Sequence, residues 1–126
     1  MKKVLLIDDD EINNELNQII LQKFGYAEEA VVCENGQVAL DYLSSITPDA
    51  LPEVIFLDLR MPVMDGFQFL EAAQKMSEDL TKKIPIYILT SSKNQQDMDK
   101  AKSFQVAGYI TKPLTTRQLD SLSTQL

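Results

Sequence analysis

Residues 4–11 read Val4-Leu5-Leu6-Ile7-Asp8-Asp9-Asp10-Glu11, a run of four apolar residues followed directly by four acids. A short, unbroken apolar run is typical of a strand that is buried on both faces, as in a parallel sheet covered by helices on both sides. The acids follow the strand at its carboxyl end, where such sheets place their ligands. This stretch therefore predicts the kind of fold and the place to look for polar chemistry.

The alternation of short apolar runs and longer amphipathic stretches continues along the chain. Four more strands are predicted, at residues 30–33, 54–57, 86–89 and 109–111. Alternation of this kind indicates a parallel sheet with helices on both faces and right-handed crossovers. We expect an α/β fold of (βα)₅ type, doubly wound and five-stranded, with the flavodoxin-like strand order 2-1-3-4-5.

The helices are predicted from their start signals and apolar spacing. The first has Gly25 as its stop and carries one apolar face, made of Ile12, Leu16, Ile19, Ile20 and Phe24. Later starts are indicated by Asn35 with Gly36, by Asp65 before Gly66, and by Thr115 with Gln118, which form a capping-box pattern. The residues expected to face inward are Val38, Ala39, Tyr42, Leu43, Phe69, Leu70, Ala73, Met76, Met98, Ala101, Phe104 or Gln105, Leu119, Leu122 and Leu126. Residues 44–52 and 77–83 are predicted to be a loop and a polar connection, and the fourth helix to run from about 95 to 105.

Length and composition limit the classes of protein to consider. The chain has 126 residues, 44% of them hydrophobic, and we expect residues 1–126 to form one domain that leaves no room for an output module. A net charge of −7 argues against a direct nucleic-acid partner. We find no signal peptide and no membrane span, and we expect a cytoplasmic protein with no membrane partner.

The chain contains no histidine and one cysteine, Cys33. This composition excludes histidine acid–base catalysis, a Ser–His–Asp system, His-ligated zinc and an intramolecular disulfide. Any chemistry must rest on carboxylates, hydroxyls, lysines or a hard metal ion.

Polar residues follow four of the five predicted strands. They are Asp8 with Asp9, then Asp58, then Thr90 with Ser91, and finally Lys112 with Pro113. In a doubly wound sheet these side chains meet in one cleft. Two carboxylates about 4 Å apart repel by roughly 4 kcal/mol at an effective dielectric constant of 20, so a lysine and a divalent cation are needed to offset them. Oxygen ligands select Mg²⁺, Mn²⁺ or Ca²⁺, and a half-open site suits Mg²⁺ beside a phosphate.

A carboxylate, a hydroxyl, a lysine and Mg²⁺ are together the parts needed to transfer a phosphoryl group to an aspartate. Asp58 would be the nucleophile, and Lys112 and Thr90 would contact phosphoryl oxygens. Asp10 and Glu11, which follow Asp8 and Asp9, are interpreted as helix-capping residues, because acidic side chains are favoured at the N-terminus of a helix.

From residue 3 to about residue 122 the sequence resembles the receiver domains of two-component response regulators. Four motifs carry the resemblance: Leu6-Ile7-Asp8-Asp9-Asp10, Leu57-Asp58-Leu59-Arg60-Met61-Pro62-Val63-Met64-Asp65-Gly66, Ile88-Leu89-Thr90-Ser91 and Gly108-Tyr109-Ile110-Thr111-Lys112-Pro113. Each motif alone is weak, but four in order, each at a strand end, are specific.

The resemblance implies a role for each matching residue. Asp58 would be the phosphoacceptor and a metal ligand, and Asp9 a direct metal ligand. Asp8 would bind the metal through water or support Asp9, and Arg60 would be a ligand through its backbone carbonyl. The metal would be Mg²⁺, with Mn²⁺ possible.

The remaining implied roles concern switching. Thr90 would be the switch hydroxyl, Tyr109 the aromatic that moves when Thr90 shifts, and Lys112 the partner of the phosphoryl group. The Lys112–Pro113 peptide would be cis.

The resemblance also implies partners. The phosphoryl group would come from a sensor histidine kinase or a histidine phosphotransfer protein, and the signal would leave through an unknown downstream protein target. The chain would catalyse only its own phosphorylation and dephosphorylation, as a monomer or a weak phosphorylation-dependent dimer. The alternatives are a constitutive interaction module, a flavin binder and a hydrolase with an aspartyl intermediate. The acids of the first loop argue against a flavin phosphate, and a hydrolase would need chain length for a substrate pocket or cap domain.

Overall fold

The fold is seen in a computed structural model that describes residues 2–76, 84–91 and 94–125, with the side chains of 123–125 left out. The connection predicted at 77–83 and the inward-facing Leu126 lie outside the described residues.

The five strands form one parallel sheet. They are β1 (Lys3–Ile7), β2 (Glu29–Cys33), β3 (Val54–Leu57), β4 (Ile86–Thr90) and β5 (Gly108–Thr111). Their order in the sheet is β2-β1-β3-β4-β5, with every neighbouring pair parallel. The predicted α/β class and strand order are confirmed, and each strand overlaps the apolar run that predicted it.

Five α-helices connect or follow these strands in the described chain. They are α1 (Glu11–Phe24), α2 (Gly36–Ser45), α3 (Gly66–Met76), α4 (Gln95–Ser103) and α5 (Thr116–Gln125). A 3₁₀ turn, Pro48–Ala50, lies in the loop predicted after α2. None of the helices in the described chain is both long enough and apolar enough to span a membrane.

The helix starts follow the predicted capping residues. The Asp10 carboxylate accepts from the backbone N–H groups of Ile12 and Asn13, and the Asn35 side chain accepts from Val38. Asp65 and Gln68 exchange backbone-to-side-chain hydrogen bonds at the start of α3. Thr115 and Gln118 do the same before α5. These caps fix where each helix leaves the carboxyl edge of the sheet.

The core has two layers, one on each face of the sheet. Alternate β1 residues point to opposite faces: Leu5 and Ile7 join the cluster covered by α2, α3 and α4, whereas Val4 and Leu6 join the cluster covered by α1 and α5. The three central strands, β1, β3 and β4, are therefore buried on both sides, as their unbroken apolar runs predicted, whereas the edge strands β2 and β5 are only partly buried.

The apolar face predicted for α1 is wrong in part. Ile12, Leu16 and Ile19 are 69%, 52% and 46% exposed, although Ile20 and Phe24 pack against the core. The residues that α1 buries are Asn14, Asn17 and Leu21. The Asp10 cap and a hydrogen bond from the Asn14 side chain to the carbonyl of Asp8 set the rotation of the helix, and this rotation turns two amides inward.

Smaller corrections concern the other helices. Val38 and Met76, both predicted to face inward, are 43% and 41% exposed, and Met76 is the last residue of α3. At the end of α4 the inward residue is Phe104, which stacks on Phe67, and not Gln105. Asp97 in α4 is buried, which the sequence did not predict.

Gly66 allows α3 to start close to the third strand. A Cβ atom at this position would lie 2.5 Å from the backbone oxygen of Asp58 and 2.9 Å from the Cα of Leu59. The N–H of Gly66 donates to the carbonyl of Leu59 at 3.0 Å. The absence of a side chain therefore lets the loop after Asp58 fold back tightly on itself.

Candidate functional site

An open cleft of about 490 Å³ lies at the carboxyl edge of the sheet. The register pairs Ile7 with Leu57 and Thr90 with Thr111, so the residues after these strands emerge side by side. The cleft is lined by Asp8, Asp9, Asp10, Asn13, Asp58, Arg60, Ser91, Lys112 and Pro113. Residues from four separate segments of the chain thus meet in one place.

Three carboxylates form the floor of the cleft. One oxygen from each of Asp8, Asp9 and Asp58 lies within 4.8 Å of the others. Asp8 and Asp58 are only 4% and 7% exposed, whereas Asp9 is open to solvent. Like charges this close repel, so the cluster attracts a cation.

Burial raises the pKa of the Asp58 carboxyl to about 6; the Lys112 charge opposes this shift, and the Asp8 charge adds to it. At neutral pH Asp58 is therefore still mostly the carboxylate.

The backbone holds this side chain in place. The N–H of Asp58 donates to the carbonyl of Ile7 at 2.9 Å, which extends the sheet by one residue. Its Oδ1 accepts from the N–H of Leu59, also at 2.9 Å. The second oxygen, Oδ2, lies 3.6 Å from the Lys112 ammonium. One carboxylate oxygen is thus held by the backbone, and the other faces the cationic side of the cleft.

Lys112 supplies the positive charge beside these carboxylates. Its Nζ donates to Asp8 Oδ2 at 2.7 Å, and its side chain is 15% exposed. Burial alone would lower the pKa of the Lys112 ammonium, but the hydrogen bond to Asp8 and the charges of Asp58 and Asp8 more than offset burial, so the pKa is raised. The N–H of Lys112 bonds the carbonyl of Thr90 at 2.8 Å, and the Lys112–Pro113 peptide is cis.

Thr90 and Tyr109 lie outside the cleft wall. Thr90 is 1% exposed at the end of β4. Tyr109 is half-buried on the edge strand β5, opposite Ile88, and packs against the core layer under α2, α3 and α4. The switching roles implied for these two residues remain predictions.

Two contacts at the site were missed from the sequence. The Arg60 guanidinium, on the cleft wall, pairs with the Asp97 carboxylate at 2.6 Å and so joins the loop after β3 to the first turn of α4. The Asn14 amide bonds the Asp8 carbonyl from behind the acidic cluster. The first pair spans 37 positions in the chain, and no local sequence pattern indicates it.

The donor set fits a hard divalent cation. The cluster offers carboxylate oxygens and neither histidine nor thiolate, which favours Mg²⁺ or Mn²⁺ over zinc or copper. One member is exposed, so a cation bound here would keep contact with water and with a substrate oxygen. Arg60 lines the same cleft.

We expect Asp58→Asn to raise the free energy of unfolding of the metal-free protein at pH 7.5, on the order of 1–3 kcal/mol. The pKa of Asp58 is raised from 3.8 to about 6, so the folded state binds this proton more tightly than the unfolded state. The loss of stability caused by ionising Asp58 in the folded state is absent below pH 4. It grows between pH 4 and pH 6 and is complete above pH 6. Urea denaturation in EDTA measures the difference.

The matched control for this prediction is Asp10→Asn. Asp10 lines the same cleft but caps α1, and Asn caps a helix equally well. The gain in the free energy of unfolding from Asp58→Asn should be smaller at pH 4.5 than at pH 7.5. At pH 7.5 this gain should exceed any effect of Asp10→Asn. An advantage of equal size at both pH values would contradict the assigned cause.

Known proteins share this fold and its sequence motifs. A solved two-component response regulator from Cytophaga hutchinsonii superposes with a TM-score of 0.91 at 30% identity, covering 99% of this chain and 96% of its own. Response regulator Rcp1 of Synechocystis is 31% identical over 121 residues, 94% of this chain and 81% of Rcp1.

Two further solved structures show the states in which related proteins were observed. One is the Mn²⁺-bound form of Rcp1, with a TM-score of 0.76 at 27% identity, covering 99% of this chain and 91% of its own. The other is the phosphorylated cyanobacterial phytochrome response regulator RcpA, with a TM-score of 0.78 at 30% identity. The superposition covers 98% of this chain and 89% of the RcpA chain. The profile of the response regulator receiver domain matches residues 4–123. The chain therefore belongs to the receiver-domain family of two-component response regulators.

Proposed function

We propose that the chain accepts a phosphoryl group on Asp58 from a phosphohistidine of a sensor histidine kinase or a histidine phosphotransfer protein. The transfer requires a divalent cation, normally Mg²⁺, with Mn²⁺ able to replace it. The observation that carries the proposal is the buried Asp58 carboxylate, with two further carboxylates within 4.8 Å and the Lys112 ammonium at 3.6 Å.

In the proposed reaction an Asp58 carboxylate oxygen attacks the phosphorus in line with the P–N bond of the donor. The O–P bond forms and the P–N bond breaks; the P–N electron pair stays on the ring nitrogen, and the imidazole, whose other nitrogen already carries a proton in the phosphohistidine, leaves as the neutral ring. Lys112, held by Asp8 at 2.7 Å, offsets negative charge on the phosphoryl oxygens. A bound divalent cation would supply further charge neutralisation through Asp8, Asp9, Asp58 and the Arg60 carbonyl.

The signal would then leave through a protein surface. Phosphorylation replaces one carboxylate charge with close to two phosphate charges, and Thr90 with Tyr109 would relay this change through β4 and β5. The output is a changed affinity for a downstream protein, from a single domain spanning residues 1–126, as a monomer or a weak phosphorylation-dependent dimer. A cytoplasmic location is part of the same proposal, as is the absence of direct nucleic-acid or membrane partners.

Two relatives support the chemistry. RcpA was observed phosphorylated, and Rcp1 was observed with Mn²⁺. In this chain the Asp8, Asp9 and Asp58 carboxylates, which could hold a divalent cation, lie together at the carboxyl edge of the sheet, and this supports the proposal.

The test uses phosphoramidate, a small donor with a P–N bond like that of phosphohistidine. Wild-type protein, Asp58→Asn and Asp10→Asn are incubated with it in Mg²⁺ or in EDTA, and intact mass is recorded. We expect one phosphoryl mass on wild type and Asp10→Asn in Mg²⁺, and none on Asp58→Asn or in EDTA.

Hydrolysis could remove the phosphoryl group before the mass is recorded. Binding of beryllofluoride, a stable phosphoryl mimic, is therefore measured on the same proteins as a control. If wild type gains no mass and does not bind beryllofluoride either, the phosphorylation proposal fails. A constitutive interaction module then becomes the better account of the fold.

A further inference from the structure

We propose that Asn14 is a positioning residue for the divalent-cation site. Its side-chain amide holds the turn that carries Asp8 and Asp9, and so sets cation affinity without touching the cation. The inference rests on the function proposed above, because it presupposes a cation site at these carboxylates.

The turn after β1 is held by few contacts. The N–H of Asp8 still bonds the sheet, at 3.1 Å from the Cys33 carbonyl, and the N–H of Asp10 turns back to Asp8 Oδ1 at 3.0 Å. The carbonyl of Asp8 has left the strand ladder, and Asn14 Nδ2 donates to it at 2.9 Å. Because this carbonyl belongs to the planar peptide that joins Asp8 to Asp9, fixing it fixes the Cα positions of both acids.

Asn14 is an unusual choice for a buried position. The residue is 6% exposed on the inward face of α1, and its Oδ1 is buried without a hydrogen-bond donor among the residues that the structure describes. A buried acceptor without a donor is costly, so packing alone would favour an apolar side chain here. What an apolar side chain cannot do is donate to the Asp8 carbonyl.

Water cannot easily take over this role. Asn14 borders a narrow internal gap, together with Asp8 and Asp58, that has no room for a water molecule. Replacing Asn14 by an apolar side chain of similar size would leave the Asp8 carbonyl without its partner and free the Asp8–Asp9 peptide to rotate.

Asn17 offers a matched control. It lies one turn further along α1, is also 6% exposed and borders the same gap. Within the described part of the chain it makes no hydrogen bond to the turn at Asp8. A change at Asn17 therefore disturbs the same core layer while leaving the Asp8 carbonyl bonded.

The experiment titrates Mn²⁺ into wild type, Asn14→Leu and Asn17→Leu by calorimetry, after circular dichroism in EDTA confirms that each is folded. We expect Asn14→Leu to weaken Mn²⁺ affinity by about 10- to 100-fold, as loss of a partner that orients a ligand does elsewhere, and Asn17→Leu to leave it unchanged. Asn14→Met replaces Asn14→Leu, with the same expectation, if the leucine variant does not fold.

The possible failures are distinct. Wild-type affinity in the Asn14 variant, or an equal loss in both variants, would overturn the positioning role while leaving the proposed function intact. No Mn²⁺ binding to wild type would overturn the proposed cation site, and the inference with it.

Discussion

Replacing Lys112 with Met is expected to slow phosphoryl transfer to Asp58 by about 10²- to 10³-fold. The Lys112 ammonium lies 2.7 Å from Asp8 Oδ2 and 3.6 Å from Asp58 Oδ2. Among the described residues that line the cleft, the other cationic side chain is that of Arg60, which is already paired with Asp97. Without Lys112, the negative charge on the transferred group would lie beside Asp8 and Asp58 with no ammonium next to it from the described part of the chain. The initial rate of mass gain from phosphoramidate in saturating Mg²⁺ measures the effect.

Lys102→Met is the control. Lys102 is exposed in the last turn of α4, and this substitution removes the same charge from the chain as Lys112→Met. We expect its rate to match wild type. A Lys112→Met rate within a few-fold of wild type would mean that the cation alone neutralises the phosphoryl group.

Replacing Asp9 with Asn is expected to weaken Mg²⁺ binding by about 30-fold. Asp9 is exposed, so the attraction between its carboxylate and a divalent cation bound to it is screened nearly as in water and is worth only about 2 kcal/mol. Loss of about 2 kcal/mol corresponds to roughly 30-fold in the dissociation constant. The geometry supports a specific effect, because one Asp9 oxygen lies within 4.8 Å of oxygens from both Asp8 and Asp58. Calorimetric titration with Mg²⁺ gives the affinity directly.

Glu11→Gln controls for the general negative field of the protein. Glu11 is an exposed acid two residues away, in the first turn of α1, and it does not line the cleft. Equal weakening by both substitutions would show that the cation responds to net charge and that Asp9 is not a ligand.

The sheet could be predicted because its central strands, β1, β3 and β4, are buried on both faces. Unbroken apolar runs such as Val54–Leu57 have no exposed side that would interrupt the pattern, and the polar residue after each run marks its carboxyl end. The sheet topology then brings Asp8, Asp58 and Lys112 to one edge. This part of the site follows from strand ends alone.

The orientation of α1 could not be predicted in the same way. Apolar spacing points to Ile12, Leu16 and Ile19, but the helix is rotated by contacts at its start, where Asp10 caps it and Asn14 reaches back to Asp8. A side-chain bond to a backbone carbonyl leaves no periodic signal in the sequence.

The Arg60–Asp97 pair was missed for a related reason. Charged residues are common on both the loop and the helix that carry them, and only the folded chain shows which two meet. The resemblance to receiver domains assigned Arg60 through its backbone, so its side chain received no role.

The central claim is that Asp58 holds a phosphoryl group beside a cation bound by neighbouring oxygens. A crystal structure grown with Mn²⁺ and beryllofluoride tests it most directly, because anomalous scattering locates the cation and the electron density locates the phosphoryl mimic. We expect beryllofluoride on an Asp58 carboxylate oxygen, in contact with Lys112 and the Thr90 hydroxyl, and Mn²⁺ bound by Asp9, Asp58 and the Arg60 carbonyl. Beryllofluoride or Mn²⁺ bound elsewhere, with Asp58 still facing Lys112 and nothing attached, would contradict the account.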